Sequence, residues 1–139
     1  MLAVDASFAI ELCLDRVGDQ ARAALAQDQL VAPPLLRSEV LSVIHELACR
    51  GDITGELADA ALDALLDNTI KVTEVRPPGL MRAAWELAGN LGWAKTYDAE
   101  YLAAAQLLNC RLVTVDRRLR RGAHRLGCVV TPAELIQPN

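Results

Sequence analysis

Short apolar segments alternate along this chain with longer stretches of helical periodicity. The apolar segments cover residues 2–4, 30–32, 70–75, 111–115 and 128–130. Apolar side chains recur at helical spacing over residues 7–14, 18–27, 35–49, 54–66, 80–91 and 96–108, with a short basic helix after Asp116 and a turn over 132–136. Consecutive strands joined through helices pair in parallel, and the helices cover the sheet. The alternation therefore predicts an α/β fold with a mostly parallel sheet covered on both faces.

The chain is long enough for one hydrophobic core and too short for two ordinary domains. It has 139 residues, 53% of them hydrophobic, and shows no internal repeat, low-complexity tract or linker. We therefore expect a single domain over residues 1–139. No apolar run approaches the roughly 20 residues of a membrane span, and no basic segment precedes an apolar one at the start. Both observations favour a cytoplasmic protein.

The four cysteines are far apart in the sequence. Cys13, Cys49, Cys110 and Cys128 form no Cys-x-x-Cys pair of the kind that zinc or redox sites use. We therefore expect buried free thiols.

Four carboxylates occur where predicted strands end or predicted helices begin. Asp5 and Asp116 directly follow apolar segments, while Glu39 and Asp98 lie near the starts of helices. In an open parallel sheet, the carboxyl ends of the strands and the N-termini of the helices share one rim, and ligands bind there. We expect these four acids, drawn from distant parts of the chain, to meet at one edge of the sheet.

Carboxylates gathered within a few ångströms repel one another, and a divalent cation is the natural compensation. Oxygen ligands without a neighbouring His or Cys favour Mg²⁺ or Mn²⁺ over zinc. Each acid taken singly also has an ordinary explanation. Asp5 and Asp116 are suited to turns or caps, Asp98 to the positive end of a helix dipole, and Glu39 to a solvated helix face. The joint placement of all four favours the metal site.

The net charge is compatible with such a site. Eighteen acidic and fourteen basic residues give a formal charge of −4, so setting the four candidate ligands aside leaves equal numbers of the two signs. Phosphate contacts supply most of the affinity for nucleic acids, and a neutral remaining surface leaves room for a basic patch. The acidic total therefore does not exclude a nucleic-acid partner.

Four short segments around these acids resemble a known family. They are residues 4–7 (Val-Asp-Ala-Ser), 38–41 (Ser-Glu-Val-Leu), 96–103 (Thr-Tyr-Asp-Ala-Glu-Tyr-Leu-Ala) and 112–119 (Leu-Val-Thr-Val-Asp-Arg-Arg-Leu). In this order and spacing they resemble the PIN-domain ribonucleases and, among these, the VapC toxins of bacterial toxin–antitoxin pairs. The resemblance covers essentially the whole chain, and each acidic position of the pattern carries an acid.

The resemblance implies a three-layer α/β/α sandwich and a metal-dependent endoribonuclease. It carries the acidic roles onto Asp5, Glu39, Asp98 and Asp116 as catalytic residues and ligands of Mg²⁺ or Mn²⁺. Thr114 matches a hydroxyl position beside the last acid and is expected to be a catalytic residue that holds a metal-bound water or orders the carboxylate. Ser7 matches another position with a similar supporting role. The resemblance also implies a VapB-like antitoxin that covers the pocket, an RNA substrate and a homodimer. A water nucleophile would leave a 5′-phosphate and a 3′-hydroxyl.

Basic and aromatic residues near the acids are candidate RNA contacts. The first set follows Asp116 and comprises Arg117, Arg118, Arg120 and Arg121, with Arg125 nearby. These arginines would guide the RNA backbone, although a solvated basic face explains them equally well. Trp93 and Tyr97 flank the segment before Asp98 and are candidates for stacking on a base. Trp85 is expected in the core.

Three other classes of protein place acids at strand ends or in pockets. A receiver-like signalling domain needs an acidic pair after the first strand and a lysine near the last strands, and neither Lys71 nor Lys95 ends a strand. A dehalogenase-type phosphatase needs Asp-x-Asp where this chain has Asp5-Ala6-Ser7. A non-catalytic module, whose acids receive a partner's basic segment, remains the open alternative.

Overall fold

Five short strands and eight helices follow one another in the predicted order. The structure is a computed structural model that describes residues 1–137, so the last two residues of the predicted domain lie outside the described ones. The strands are β1 (Leu2–Val4), β2 (Leu30–Ala32), β3 (Val72–Glu74), β4 (Arg111–Val113) and β5 (Val129–Val130). The helices are α1 (Ala6–Cys13), α2 (Asp19–Leu25), α3 (Leu35–Cys49), α4 (Gly55–Leu66), α5 (Leu80–Leu91), α6 (Tyr97–Leu107), α7 (Arg117–Gly122) and α8 (Pro132–Ile136), with a 3-10 turn at His124–Leu126.

The strands form one sheet in the order β3-β2-β1-β4-β5, and all four pairings are parallel. In the registers of β1, Leu2 lies opposite Leu30 of β2 and Arg111 of β4. Strands β1 and β2 are apolar throughout and buried, and in β4 Leu112 and Val113 are buried after the exposed Arg111, as expected for a sheet covered on both faces. The predicted parallel α/β sheet is confirmed.

Five of the helices form two packed groups, and α2 packs against α8. Helices α1, α3 and α4 contact one another, while α5 packs against α6, which also contacts β1 and β4. The chain steps across the sheet in one direction from β1 to β3 and in the opposite direction to β4 and β5. Right-handed crossovers therefore place the two groups on opposite faces, which confirms the sandwich. Within residues 1–137, no helix combines the length and the apolar character that a membrane crossing requires.

Three strands are shorter than their apolar patterns predicted, and in β5 the difference is only Cys128. Residues 70 and 71 lie outside β3 because Lys71 has a left-handed backbone with φ of 49°. Strand β4 ends at Val113, although the N–H of Thr114 still donates to the carbonyl of Val130 at 3.0 Å. Its early end leaves Thr114 to Asp116 at the rim of the sheet.

Two predictions about burial were wrong. Trp85 is 70% exposed, because α5 turns its other face inward and packs through Ala84, Leu87 and Ala88. Cys49, at the C-terminus of α3, is exposed, whereas Cys13 is buried, and all four cysteines are free. Helical periodicity shows that a helix has an apolar face, but an aromatic residue beside that face can still point into solvent.

The strand order determines where a ligand site can form. The chain runs from β1 to β2 on one side of β1, and it later returns to form β4 on the opposite side of β1. The order in which strands are added therefore changes direction between β1 and β4, which makes this position the switch point of the sheet. The crevice outside the carboxyl ends of two such strands is the usual binding site of open α/β sheets. Asp5 directly follows β1, and Thr114 directly follows β4.

Candidate active site

Asp5 is a buried carboxylate that is held by three hydrogen-bond donors. It is 4% exposed and caps α1, since its Oδ1 accepts from the N–H of Phe8 at 2.9 Å. Ser7 Oγ donates to Oδ1 at 2.8 Å, and Thr114 Oγ1 donates to Oδ2 at 2.5 Å. These bonds fix the orientation of the carboxylate at the end of β1.

Thr114 connects Asp5 to Asp116. Its hydroxyl is buried, and while it donates to Asp5 it also accepts from the N–H of Asp116 at 3.0 Å. Asp116 in turn caps α7, where its Oδ1 accepts from the N–H groups of Arg118 at 2.7 Å and Leu119 at 3.2 Å. A single hydroxyl therefore links the acid after β1 with the backbone of the acid after β4.

Glu39 accepts a hydrogen bond from Tyr101, which the sequence did not predict as part of the site. Tyr101 on α6 is buried, and its hydroxyl donates to Glu39 Oε2 at 2.5 Å. Tyr101 follows Asp98 by three residues, and residues at that spacing share one helix face. This spacing was the signal in the sequence that could have identified Tyr101.

All four predicted acids line one pocket. Its volume is about 410 Å³, and its lining comprises Asp5, Ala6, Ser7, Ile10, Glu39, Ser42, Val43, Asp98, Tyr101 and Asp116. Asp98 lies in the first turn of α6 and is exposed. A second pocket of about 600 Å³ adjoins the first and shares Glu39 and Asp98 with it.

Desolvation, with a smaller effect of mutual repulsion, makes ionisation of Asp5, Glu39 and Asp98 less favourable. Burial raises the pKa of Asp5 from 3.8 to about 6, with a smaller increase from Asp116, although its hydrogen bonds act in the opposite direction. Partial burial also raises the pKa of Glu39, and Asp98 adds to that increase while the bond from Tyr101 opposes it. Partial desolvation is also the main reason that the pKa of Asp98 is raised. Repulsion from Asp116 adds to this increase, and the positive charge of Arg118 opposes it.

The donor set fits a hard divalent cation. Among the residues described, no group of three or more His, Cys, Asp or Glu side chains is arranged so that it could hold a metal ion as it stands. Asp5, Glu39 and Asp116 each accept hydrogen bonds from donors within the fold. Mg²⁺ commonly uses only one or two carboxylates and retains several waters, so a looser set suits it. A cation would also relieve the mutual repulsion that adds to the effect of burial on the pKa values of Asp5, Glu39 and Asp98.

The predicted arginine run is divided between different environments. Arg118 lies beside Asp98 at the second pocket. Arg120 instead forms an ion pair with Glu134 of α8, so its guanidinium already has a partner within the fold. Arg117 and Arg121 are exposed on α7. Of the four, Arg118 is the arginine that lines the second pocket.

The parallel sheet, with acidic side chains beyond the carboxyl ends of β1 and β4, can be compared with known families of protein. Residues 2–125 match the family described as PIN domain. The chain also has the fold of a solved protein, the crystal structure of PAE2754 from Pyrobaculum aerophilum. The TM-score is 0.73 over 97% of this chain and 91% of that one, at 20% sequence identity. The chain belongs to the PIN-domain family.

Proteins of similar sequence indicate the type of PIN-domain protein to which this chain belongs. The chain is 38% identical over 119 residues to VapC ribonuclease Mb0985 of Mycobacterium bovis and to ribonuclease VapC9 of Mycobacterium tuberculosis, covering 86% of this chain and 88% of each relative. Ribonuclease VapC3 of Mycobacterium tuberculosis is 34% identical over 130 residues, which cover 89% of this chain and 90% of that protein. Within the PIN family, the chain is of the VapC ribonuclease type.

Replacing Thr114 with valine is expected to lower the free energy of unfolding by about 1 to 3 kcal/mol, because the Asp116 N–H loses its acceptor in a partly buried position. The pKa of Asp5 should rise further, since the bond from Thr114 lowers it. Denaturant unfolding at neutral pH and NMR titration of the Asp5 carboxyl measure the two effects. Thr114→Ser keeps the hydroxyl and is the control. A valine variant that matches the serine variant in both measurements would contradict the linking role.

Proposed function

We propose that this chain is a Mg²⁺-dependent endoribonuclease, with Mn²⁺ as an alternative cation, and the toxin of a toxin–antitoxin pair. The observation that carries the proposal is the convergence of Asp5, Glu39, Asp98 and Asp116 on one pocket in a chain of the VapC type. Neighbouring oxygen donors from separate elements are the ligand type that hard cations use in phosphoryl chemistry.

Asp5 and Asp98 would be the main ligands, with Glu39 and Asp116 binding directly or through water. When bound, the cation would neutralise phosphate charge and lower the pKa of a nearby water molecule. Thr114 and Tyr101 act as positioning residues, because each donates to one of these acids. Ser7 supports Asp5 in the same way.

The proposed reaction is hydrolysis at a phosphodiester in which water is the nucleophile. The water oxygen forms a bond to phosphorus as the bond between phosphorus and O3′ breaks, which leaves a 5′-phosphate and a 3′-hydroxyl. Without a cation, the four acids repel the phosphate of RNA. The carboxylates therefore make the approach of the scissile phosphate to the acidic pocket, and with it cleavage, depend on the ion.

The same pocket suits an antitoxin. Ile10 and Val43 line it together with the acids, so a segment with basic and apolar side chains would match both parts of its surface. Membership of the VapC type supports a VapB-like antitoxin as that partner, and it supports a homodimer as the assembled form of the toxin.

Incubation of the purified protein with total RNA tests the proposal. We expect specific cuts with Mg²⁺ or Mn²⁺, no cuts with EDTA, and 5′-phosphates at the new ends, because the nucleophile is water. Sequencing of the cut ends locates the cuts under each condition. A comparison with and without prior phosphorylation of the 5′ ends shows whether those ends already carry a phosphate. Cuts that persist in EDTA would contradict the metal dependence. Intact RNA with either cation would favour the non-catalytic binding module.

A further inference from the structure

The second pocket differs in chemistry from the acidic one beside it. Its volume is about 600 Å³, and besides the shared Glu39 and Asp98 its lining includes Trp93, Lys95, Tyr97 and Arg118. The acidic pocket has no Lys or Arg among the described residues that line it. Cations and aromatic rings therefore lie together on one side of the shared acids.

Tyr97 offers an open ring at this pocket. It is the first residue of α6, directly before Asp98, and it is 57% exposed. An exposed aromatic residue has no packing role on its outer face, and base stacking on such rings is a common way to bind single strands. The ring is adjacent in sequence to a proposed metal ligand, so a base stacked there lies next to the acidic pocket.

Trp93 forms a fixed wall of the same pocket. It is half-buried, and its ring packs against α7 so closely that a Cβ placed on Gly122 would lie 2.8 Å from its Cζ2. Glycine at position 122 permits this approach, which ties the segment before α6 to the helix that carries Arg118. The pocket therefore has a rigid aromatic wall and an exposed aromatic platform.

Lys95 and Arg118 supply the positive charge. Lys95 is exposed in the segment between α5 and α6, and Arg118 lies in the first turn of α7, near Asp98. Two cations beside two aromatic rings match the phosphate and the base of a nucleotide, respectively. The pocket volume is in the range of small-ligand sites, which run from roughly 300 to 1,000 Å³.

We infer that this pocket binds one nucleotide of the RNA adjacent to the phosphate that is cleaved. The base stacks on Tyr97 beside Trp93, and its phosphate lies between Lys95 and Arg118. This inference rests on the proposed function, since it places the RNA on the aromatic side of the shared acids. It makes Tyr97 and Lys95 binding residues that act on affinity for RNA.

Tryptophan fluorescence tests the subsite directly. The chain has two tryptophans, so a Trp85→Phe protein reports on Trp93 alone, and a Trp93→Phe protein reports on Trp85. In EDTA, oligoadenylate is expected to quench Trp93 with saturation and to leave Trp85 unchanged. A chain of abasic ribose phosphates should compete for binding without quenching Trp93. Equal effects of oligoadenylate on both tryptophans would overturn the inference.

Variants in the Trp85→Phe background separate the base from the phosphate. Tyr97→Ala is expected to weaken oligoadenylate binding roughly tenfold, while Tyr97→Phe keeps the ring and the affinity. Lys95→Met should reduce the salt dependence of binding by about one unit of slope. The control is Lys71→Met, which removes the other lysine of the chain. Lys71 lies before β3, at the end of the sheet opposite to the acids, so this change should leave the salt dependence of binding unaltered.

Unchanged affinity of Tyr97→Ala for oligoadenylate would overturn the subsite and leave the exposed ring to a protein partner. An identical salt slope in the Lys95→Met and Lys71→Met proteins would also overturn it. Cleavage of RNA in EDTA would contradict the proposed metal dependence, but it would not alter these binding comparisons. The two proposals can therefore fail separately.

Discussion

The Asp5→Asn and Asp98→Asn proteins are expected to lose metal-dependent RNA cleavage by roughly a thousandfold or more. Metal-ion catalysis supplies several kcal/mol of transition-state stabilisation, and each 1.4 kcal/mol is about a factor of ten in rate. Asparagine keeps the size of aspartate but removes the negative charge that would hold a hard cation. The loss should appear in kcat/KM with either Mg²⁺ or Mn²⁺.

A matched control removes an acid elsewhere. Asp52 is exposed, follows α3 and pairs with Arg50, so Asp52→Asn changes the net charge by the same amount away from the pocket. That protein should cleave RNA at the wild-type rate, and circular dichroism should show all three variants folded. Metal-dependent cleavage retained by both Asp5→Asn and Asp98→Asn would refute the assignment of the site.

The Asp5→Asn protein is also expected to be more stable than the wild type in EDTA at pH 7.5, by about 2 kcal/mol. Burial raises the pKa of Asp5 from 3.8 to about 6, so the folded state favours the protonated form. This contribution to stability is complete below pH 4 and is lost as the pH rises through 6. At pH 7.5, ionised Asp5 therefore costs the fold about 3 kcal/mol, and weaker hydrogen bonds to asparagine offset part of the gain.

Denaturant unfolding at two pH values measures this effect. The advantage of Asp5→Asn should be present at pH 7.5 and should shrink towards pH 4.5, where the wild-type carboxyl is protonated in the folded state. Asp52→Asn should show no comparable change between the two conditions. If Asp5→Asn were equally destabilised at both pH values, the desolvation of Asp5 would not be the dominant effect.

The two expected results have opposite signs at one residue. The charge on Asp5 that makes the metal-free fold less stable is the charge that the proposed cation needs. Stability given up at a functional site in this way is common, because activity selects for groups that packing alone would remove. A divalent cation that binds the folded state should recover stability in the wild type and much less in Asp5→Asn.

Much of the fold followed from local patterns. Apolar segments of a few residues, separated by helical periodicity, predicted the five strands and the main helices, and α3 spans the predicted residues 35–49. The positions of Asp5 and Asp116 after strands predicted one shared rim, because parallel strands end on the same side. The structure brings both to the same pocket as Glu39 and Asp98.

The details of the site depended on contacts that no local pattern encodes. Nothing in the sequence showed that β1 would pair with β4, and that pairing brings Thr114 within 2.5 Å of Asp5, 109 residues away. The bond from Tyr101 to Glu39 joins residues 62 apart in the same way. The partner of Arg120 on α8 and the outward position of Trp85 also depended on which helix faces packed.

The sequence by itself determined the class of fold, the order of its elements and the placement of four acids near strand and helix ends, because hydrophobic periodicity and position at an element's end are local properties. The tertiary structure alone decided the strand order, the hydrogen bond from Tyr101 to Glu39, and the meeting of the aromatic and cationic side chains in one pocket beside the acids. These features require distant segments to pack together, and the packing energy depends on shape and burial across the whole domain.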